Sequence, residues 1–135
     1  MMSKQCKYAI KALVRLAAHY QKGNILTSEI SKKEGIPRKF LEQILIKLKH
    51  KGYVGSKAGY NGGFYLKQHP TKITVADIYR LFDGAIALVP CVAYQYYEKC
   101  DDCKNEKTCT LRREFKKIRE QTRNVMTETT IQSFL

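Results

Sequence analysis

The stretch from Thr27 to Leu66 constrains the fold more than any other part of the chain. It holds two short helical patterns separated by Gly35, then two short strand patterns separated by a glycine-rich loop. Thr27 or Ser28 can cap the first helix, and Glu29 suits its first turn. That helix runs to about Glu34, and Gly35 supplies the turn. Pro37 suits the first position of the next helix, where no amide donor is needed. This second helix spans Pro37–Lys49, burying Phe40, Leu41, Ile44, Leu45 and Leu48, and Gly52 ends it. Tyr53-Val54 and Phe64-Tyr65-Leu66 read as short strands. The nine residues from Gly55 to Gly63 include four glycines, the composition of an exposed hairpin loop.

The flanks complete the architecture. Cys6 to Gln21 reads as a helix, with Ala9, Ile10, Ala12, Leu13, Leu16 and Ala17 at helical spacing and Gly23 as the stop. Thr74 can cap a helix from Val75 to about Asp83, with Asp77 three residues on. Residues 84–110 are irregular and hold four of the five cysteines. From Leu111 to about Thr130 the helical pattern returns. Leu111, Phe115, Ile118, Thr122, Val125 and Thr129 form a seam of coiled-coil period. A helix this charged, with so narrow a seam, finds little cover on its own small domain; an equivalent helix from a second copy is the natural cover. The chain is thus expected to be mainly α with a small β wing. A winged helix-turn-helix domain would occupy residues 1–83, a cysteine-rich sensor loop 84–110, and a long C-terminal dimerisation helix with its tail 111–135.

Charge follows the same division. The chain carries a net +13, yet residues 1–70 hold 14 Lys/Arg against 3 Asp/Glu, while residues 71–135 hold 11 against 9. A basic first half beside a near-neutral second half points to a polyanion partner for the first half alone. No apolar run is long enough for a membrane span, and Lys11 and Arg15 interrupt any signal-peptide core, so a cytoplasmic protein with reduced thiols is expected. Catalysis is disfavoured. His19, His50 and His69 are scattered, no nucleophile–base pair stands out, and no G-x-x-x-x-G-K-[ST] loop occurs.

In a winged helix-turn-helix arrangement the second helix of the motif enters the major groove of duplex DNA. Here that helix presents Arg38, Lys39, Glu42, Gln43 and Lys47 on its non-core face. Arg and Lys reach guanine edges or phosphates, Gln pairs with adenine, and Glu accepts from cytosine. Lys57, Tyr60 and Asn61 supply wing donors, and the wing glycines, Gly62 among them, allow close backbone approach to a sugar-phosphate chain. Ser28, at the start of the preceding helix, joins the candidate DNA contacts.

Cys91, Cys100, Cys103 and Cys109 fall within 19 residues, with Cys100-Asp101-Asp102-Cys103 forming a two-residue knuckle. Four soft thiolates suit zinc or an iron–sulfur cluster, and a metal-free thiol or disulfide switch is the other reading. Lys99, Lys104, Lys107 and a helix starting at Thr110 favour thiolates; Asp101 and Asp102 oppose them. Cys6 lies far off and reads as a small core residue.

Three motifs carry a resemblance that covers nearly the whole chain. They are Tyr8-Ala9-Ile10-Lys11-Ala12-Leu13, then Gly35-Ile36-Pro37 with Phe40-Leu41-Glu42-Gln43-Ile44-Leu45, and Gly59-Tyr60-Asn61-Gly62-Gly63-Phe64-Tyr65-Leu66. In these the chain resembles the IscR/NsrR/CymR family of bacterial transcription regulators, the Rrf-two family. The resemblance implies a regulator that binds a double-stranded DNA operator as a homodimer through the C-terminal helix. It also implies an iron–sulfur cluster, [2Fe-2S] or [4Fe-4S], or none in an aerobically prepared sample. Cluster-binding members carry three loop cysteines and one other ligand. Cys91 and Cys109 match the outer two, and Cys100 or Cys103 the middle one. The external ligand is missing: where IscR-like members have a histidine stands Arg112, and where NsrR-like members have an aspartate stands Lys7. The fourth cysteine would then replace it. Ala58 stands where the family's wing carries an arginine, so a different or weaker operator preference is expected. Cluster-free, CymR-like members keep open a metal-free or zinc-bound regulator that responds to a small molecule or a protein partner.

Overall fold

The computed structural model describes residues 2–135. Helices α1 (Lys4–Ala18), α2 (Thr27–Glu34) and α3 (Arg38–His50) come first. Strands β1 (Val54–Lys57) and β2 (Gly63–Leu66) follow, then α4 (Val75–Phe82) and α5 (Thr110–Glu128). The strands pair antiparallel, Val54 opposite Leu66 and Lys57 opposite Gly63, and form the wing. Single 3-10 turns at Pro70–Lys72, Pro90–Val92, Glu106–Thr108 and Ile131–Phe134 fill the connections.

Helix α1 is the centre of the first domain. It packs on α2, α3, α4, β2 and the C-terminal turn. Its apolar stripe, including Ala9, Leu13 and Leu16, meets Ile30, Leu41, Ile44, Leu45 and Leu48 in one core. Cys6 is fully buried in that core, and burial pushes its thiol up to about 12, with the Asp83 carboxylate adding to the effect. It is an inert packing residue, as the sequence suggests.

Several boundaries differ from the sequence reading. Helix α1 starts at Lys4 because the Ser3 side chain accepts from the Cys6 amide, and it ends at Ala18, before Gly23. Leu26, not Thr27 or Ser28, occupies the N-cap of α2, so those two hydroxyls lie inside its first turn. Pro37 is the N-cap of α3 rather than its first helical residue. Phe40 is half-buried at the core edge, edge-to-face with Tyr8. Tyr53 lies outside β1, and α5 stops at Glu128.

Two ties hold the elements in place. Arg15 Nε and Nη2 lie 2.7 and 2.6 Å from Glu34 Oε1, and Lys11 Nζ donates to the Glu34 carbonyl at 2.7 Å, clamping α2 to α1. The pair is part-exposed, so Arg15→Ala is expected to lower stability by about 1 kcal/mol. Urea unfolding at fixed protein concentration measures that; no shift in midpoint would show that the clamp is decorative. The second tie lies at the other end. Past α5 the chain returns to the first domain, where Val75 N donates to Thr129 O and Ile131 N to Ile73 O. Ile131 is fully buried among core residues.

Candidate nucleic-acid interface and cysteine loop

Helices α2 and α3 meet at Gly35, whose left-handed φ of 65° closes the turn. Beyond it, α3 buries Leu41, Ile44, Leu45 and Leu48 and exposes Arg38, Lys39, Glu42, Gln43 and Lys47. Amphipathic spacing alone produces this: the core stripe fixes which side chains are left to reach outward. Arg38 Nε and Glu42 Oε1 stand 3.2 Å apart, one turn from each other. Lys47 Nζ lies over the Phe82 ring of α4, 4.9 Å from its centroid.

The wing stands beside the start of α2. Leu26 and Glu29 share a groove of about 720 Å³ with Lys57, Gly59, Tyr60, Asn61 and Gly62. Ser28 is exposed in the same helical turn. A hydrogen bond from Lys33, and its charge, hold the Glu29 carboxyl below the usual carboxylate range. Tyr60 is 95% exposed at the wing tip.

The wing glycines have an internal role beyond the expected approach to a phosphate chain. Gly62 is buried, and a Cβ there would stand 2.4 Å from the Lys57 carbonyl oxygen. Gly63, at φ 131°, would put one 2.5 Å from the Ile25 carbonyl oxygen. That space is needed because Ile25 and Phe64 exchange two backbone hydrogen bonds of 2.8 Å. Gly59 has open space around its Cβ position and faces solvent.

Three residues of this region escape sequence reasoning. Lys49 Nζ donates to Ser56 Oγ at 2.6 Å and ties the end of α3 to β1. Asn24 Nδ2 donates to the Asn61 carbonyl and ties the wing tip to the α1–α2 connection. Neither contact has a local sequence signal, since each joins polar residues from separate elements.

The cysteine loop packs along α5. Arg112 Nε donates to the Cys91 carbonyl at 3.3 Å, and Arg119 Nη1 to the Val92 carbonyl at 2.7 Å. Tyr94 lies under the Arg119 guanidinium, 4.1 Å from its ring centroid, and its hydroxyl donates to Glu120. Cys109 is the N-cap of α5, its sulfur accepting from the Arg112 amide at 3.4 Å. Cys91 is buried and the other three cysteines are half-exposed; all are free thiols. A hydrogen bond with Cys91 holds the Cys100 thiol above the usual cysteine range, with burial, Cys91, Asp102 and Cys103 adding.

All four sulfur residues line one cavity of about 400 Å³, together with Arg112 and Phe115 of α5. In kind, this donor set fits a thiophilic metal or an iron–sulfur cluster. In spacing it is open. Among the described residues no three His, Cys, Asp or Glu side chains converge closely enough to hold an ion. The loop would have to draw inward around one.

On the outer face of α5 the seam is uncovered. The helix has no buried residue, and Leu111, Ile118 and Val125 are 64, 43 and 61% exposed. No helix among the described residues is long and apolar enough to cross a membrane.

Known proteins share this arrangement. Residues 2–135 match the Rrf2 family, described as an iron-dependent transcriptional regulator. A putative Rrf2-like helix-turn-helix transcriptional regulator of Rhodobacter capsulatus is 36% identical over 121 residues, 87% of this chain and 81% of that protein. The regulator IscR of Photorhabdus laumondii is 30% identical over 97 residues, 72% of this chain and 59% of its own length. The structure of CymR, the global cysteine regulator of B. subtilis, superposes with a TM-score of 0.80 at 26% identity, covering 99% of this chain and 95% of that one. The winged fold, the exposed α3 face and these matches agree: the chain belongs to the Rrf2 family of DNA-binding transcription regulators.

Proposed function

We propose that the chain binds a specific operator as a homodimer and that the state of Cys91, Cys100, Cys103 and Cys109 sets its operator affinity. One observation carries this reading. The four cysteines line a single cavity at the N-terminus of the same helix, α5, that bears the uncovered apolar seam. In this reading residues 1–83 contact DNA, 84–110 sense and 111–135 pair. Arg38, Lys39, Glu42, Gln43 and Lys47 would face base edges, with Ser28, Lys57, Tyr60, Asn61 and Gly62 on the backbone.

The four cysteines would hold an iron–sulfur cluster through an all-thiolate set, since Arg112 and Lys7 offer no ligand. A bound cluster supplies sensitivity to oxidation, nitric oxide and iron loss. The chain supplies the transmission. Arg112 and Arg119 fasten the Cys91 turn to α5, and Thr129 and Ile131 fasten the far end of α5 to the winged domain. A change in the loop can thereby alter the spacing of two α3 helices in a dimer. The shift in affinity requires that the two states bind operator differently.

Anaerobic purification with iron, sulfide and zinc analysis tests the cofactor. Iron and sulfide together are expected; stoichiometric zinc without sulfide would sink the cluster. Footprinting with cluster-loaded and stripped protein tests the switch, and equal affinity at every site would refute it. A metal-free or zinc-bound regulator answering to a small molecule or protein is the second reading, and the open spacing of the thiols favours it.

DNA binding itself is expected to weaken steeply with salt, because the basic half displaces counterions from phosphates. Lys57→Ala should reduce the slope of log K against log salt by about one, without changing operator preference. A flat salt response would indicate a protein-binding module instead.

A further inference from the structure

The tip of the wing can do little to hold itself. Residues 56–61 are all exposed. Gly59 and Asn61 both stand at left-handed φ, 84° and 62°, a conformation that costs free energy for any residue with a side chain, though less for asparagine. The Gly62 amide donates to the Gly59 carbonyl at 2.9 Å and closes the turn. A side-chain brace cannot come from the returning strand, because a Cβ at Gly62 or Gly63 would collide with the Lys57 or Ile25 carbonyl oxygen. The brace comes from another segment. Ile25 exchanges two backbone bonds with Phe64 at the base of the wing, and the half-buried Asn24 reaches further out, its Nδ2 donating to the Asn61 carbonyl at 3.0 Å. Leu26, the N-cap of α2, follows directly. One hydrogen bond therefore sets the distance between the wing tip and the start of α2, the two walls of the groove of about 720 Å³ that Asn24 and Asn61 both line.

We propose that Asn24 is a positioning residue for DNA binding. Its bond to the Asn61 carbonyl holds Tyr60 and Asn61 at the separation from α2 that a sugar-phosphate strand fits. The proposal rests on the wing gripping the DNA backbone, as argued above, and adds the residue that prepares the grip. A tip already ordered in the free protein does not have to be ordered on binding, so its contacts count more fully toward affinity. Asn24 acts through the Asn61 backbone rather than on DNA. Its effect must therefore vanish when the tip side chains are gone.

The test uses the full chain, purified anaerobically, and a duplex that this chain selects from a randomised library. Asn24→Ala is expected to weaken binding about fivefold, the loss of one hydrogen bond's worth of order. Hydroxyl-radical cleavage should rise at the sugars beside the wing, while α3 still protects guanine N7 from methylation. In a chain that already carries Tyr60→Ala and Asn61→Gly, which keeps the Asn61 carbonyl, Asn24→Ala should change affinity by less than about twofold. A role in stability alone, or a direct contact of Asn24 with DNA, would cost the same factor in both backgrounds and overturns the proposal. Urea unfolding checks each variant. Should Asn24→Ala fail to fold, Asn24→Ser, whose side chain is too short to span to Asn61, carries the same cycle. Unchanged affinity in Asn24→Ala, with binding weakened by Tyr60→Ala and Asn61→Gly, overturns the positioning role and leaves the wing reading standing. Unchanged affinity in Tyr60→Ala with Asn61→Gly removes the grip of the wing tip and the proposal with it.

Discussion

Ile131→Ala is expected to cost about 3 kcal/mol of stability, within the range of roughly 2–5 kcal/mol for deleting a buried branched side chain. Ile131 is fully buried, in the same core cluster as Leu13, Ile73 and Ile78. The substitution loses the transfer free energy of three carbons and leaves a cavity. The backbone on either side cannot collapse into it freely, because Ile131 N is bonded to Ile73 O and Thr129 O to Val75 N. A domain of this size is stable by about 5–15 kcal/mol, so the loss is a large fraction of the total. Phe134, on the same turn, is half-exposed, and Phe134→Ala should cost far less. Urea unfolding at one fixed protein concentration, with m unchanged, reads both. A loss below about 1 kcal/mol for Ile131→Ala would show that the tail rests on the core without belonging to it.

The consequence reaches past stability. Helix α5 is fixed at its start through Arg112 and Arg119 to the cysteine turn, and at its end through Ile131 to the domain that carries α3. Loosening one end should leave the cysteine chemistry intact while uncoupling it from α3. Thiol reactivity of Cys100 in Ile131→Ala is therefore expected to match that of the unmodified chain wherever the protein is folded.

The parts legible in the sequence were those written in a local period. The stripes of α1 and α3, the Gly35 turn, the Thr74 cap on Asp77 and the two-strand wing all follow from spacing and turn chemistry. What the sequence hides depends on chain segments that are far apart. Ile131 looks like a stray apolar residue in a polar tail, yet it fills the core through a bridge between Thr74 and Thr130. Leu26 displaces Thr27 and Ser28 from the cap of α2; the neighbouring Ile25 is held by its two bonds to Phe64. The Ile25–Phe64 bridge explains why Gly63 must lack a side chain. The cysteine pattern misleads for a related reason. Spacing nominates the Cys100–Cys103 knuckle, whereas the Arg112 tie from α5 to the Cys91 carbonyl helps place Cys91 on the cavity that all four cysteines line.

The second large effect concerns the seam. Ile118→Glu combined with Val125→Glu is expected to leave a single chain folded and to weaken operator binding by about 100-fold or more. Both side chains are substantially exposed on one copy, and α5 buries none of its residues. Carboxylates there stay solvated, so the isolated fold loses little. Against an equivalent helix the same groups would be desolvated beside like charges, which costs several kcal/mol and prevents pairing. A dimer holds its second α3 at a high effective concentration over the second half-site, and a monomer forfeits that advantage. The readouts separate the causes. Sedimentation should report a dimer for the unmodified chain and a monomer for the variant, with circular dichroism unchanged. Affinity for a duplex carrying one half-site should be equal for both. A variant that remains dimeric would move the interface off this seam. One that loses half-site affinity as well would show that the substitutions had damaged the winged domain itself.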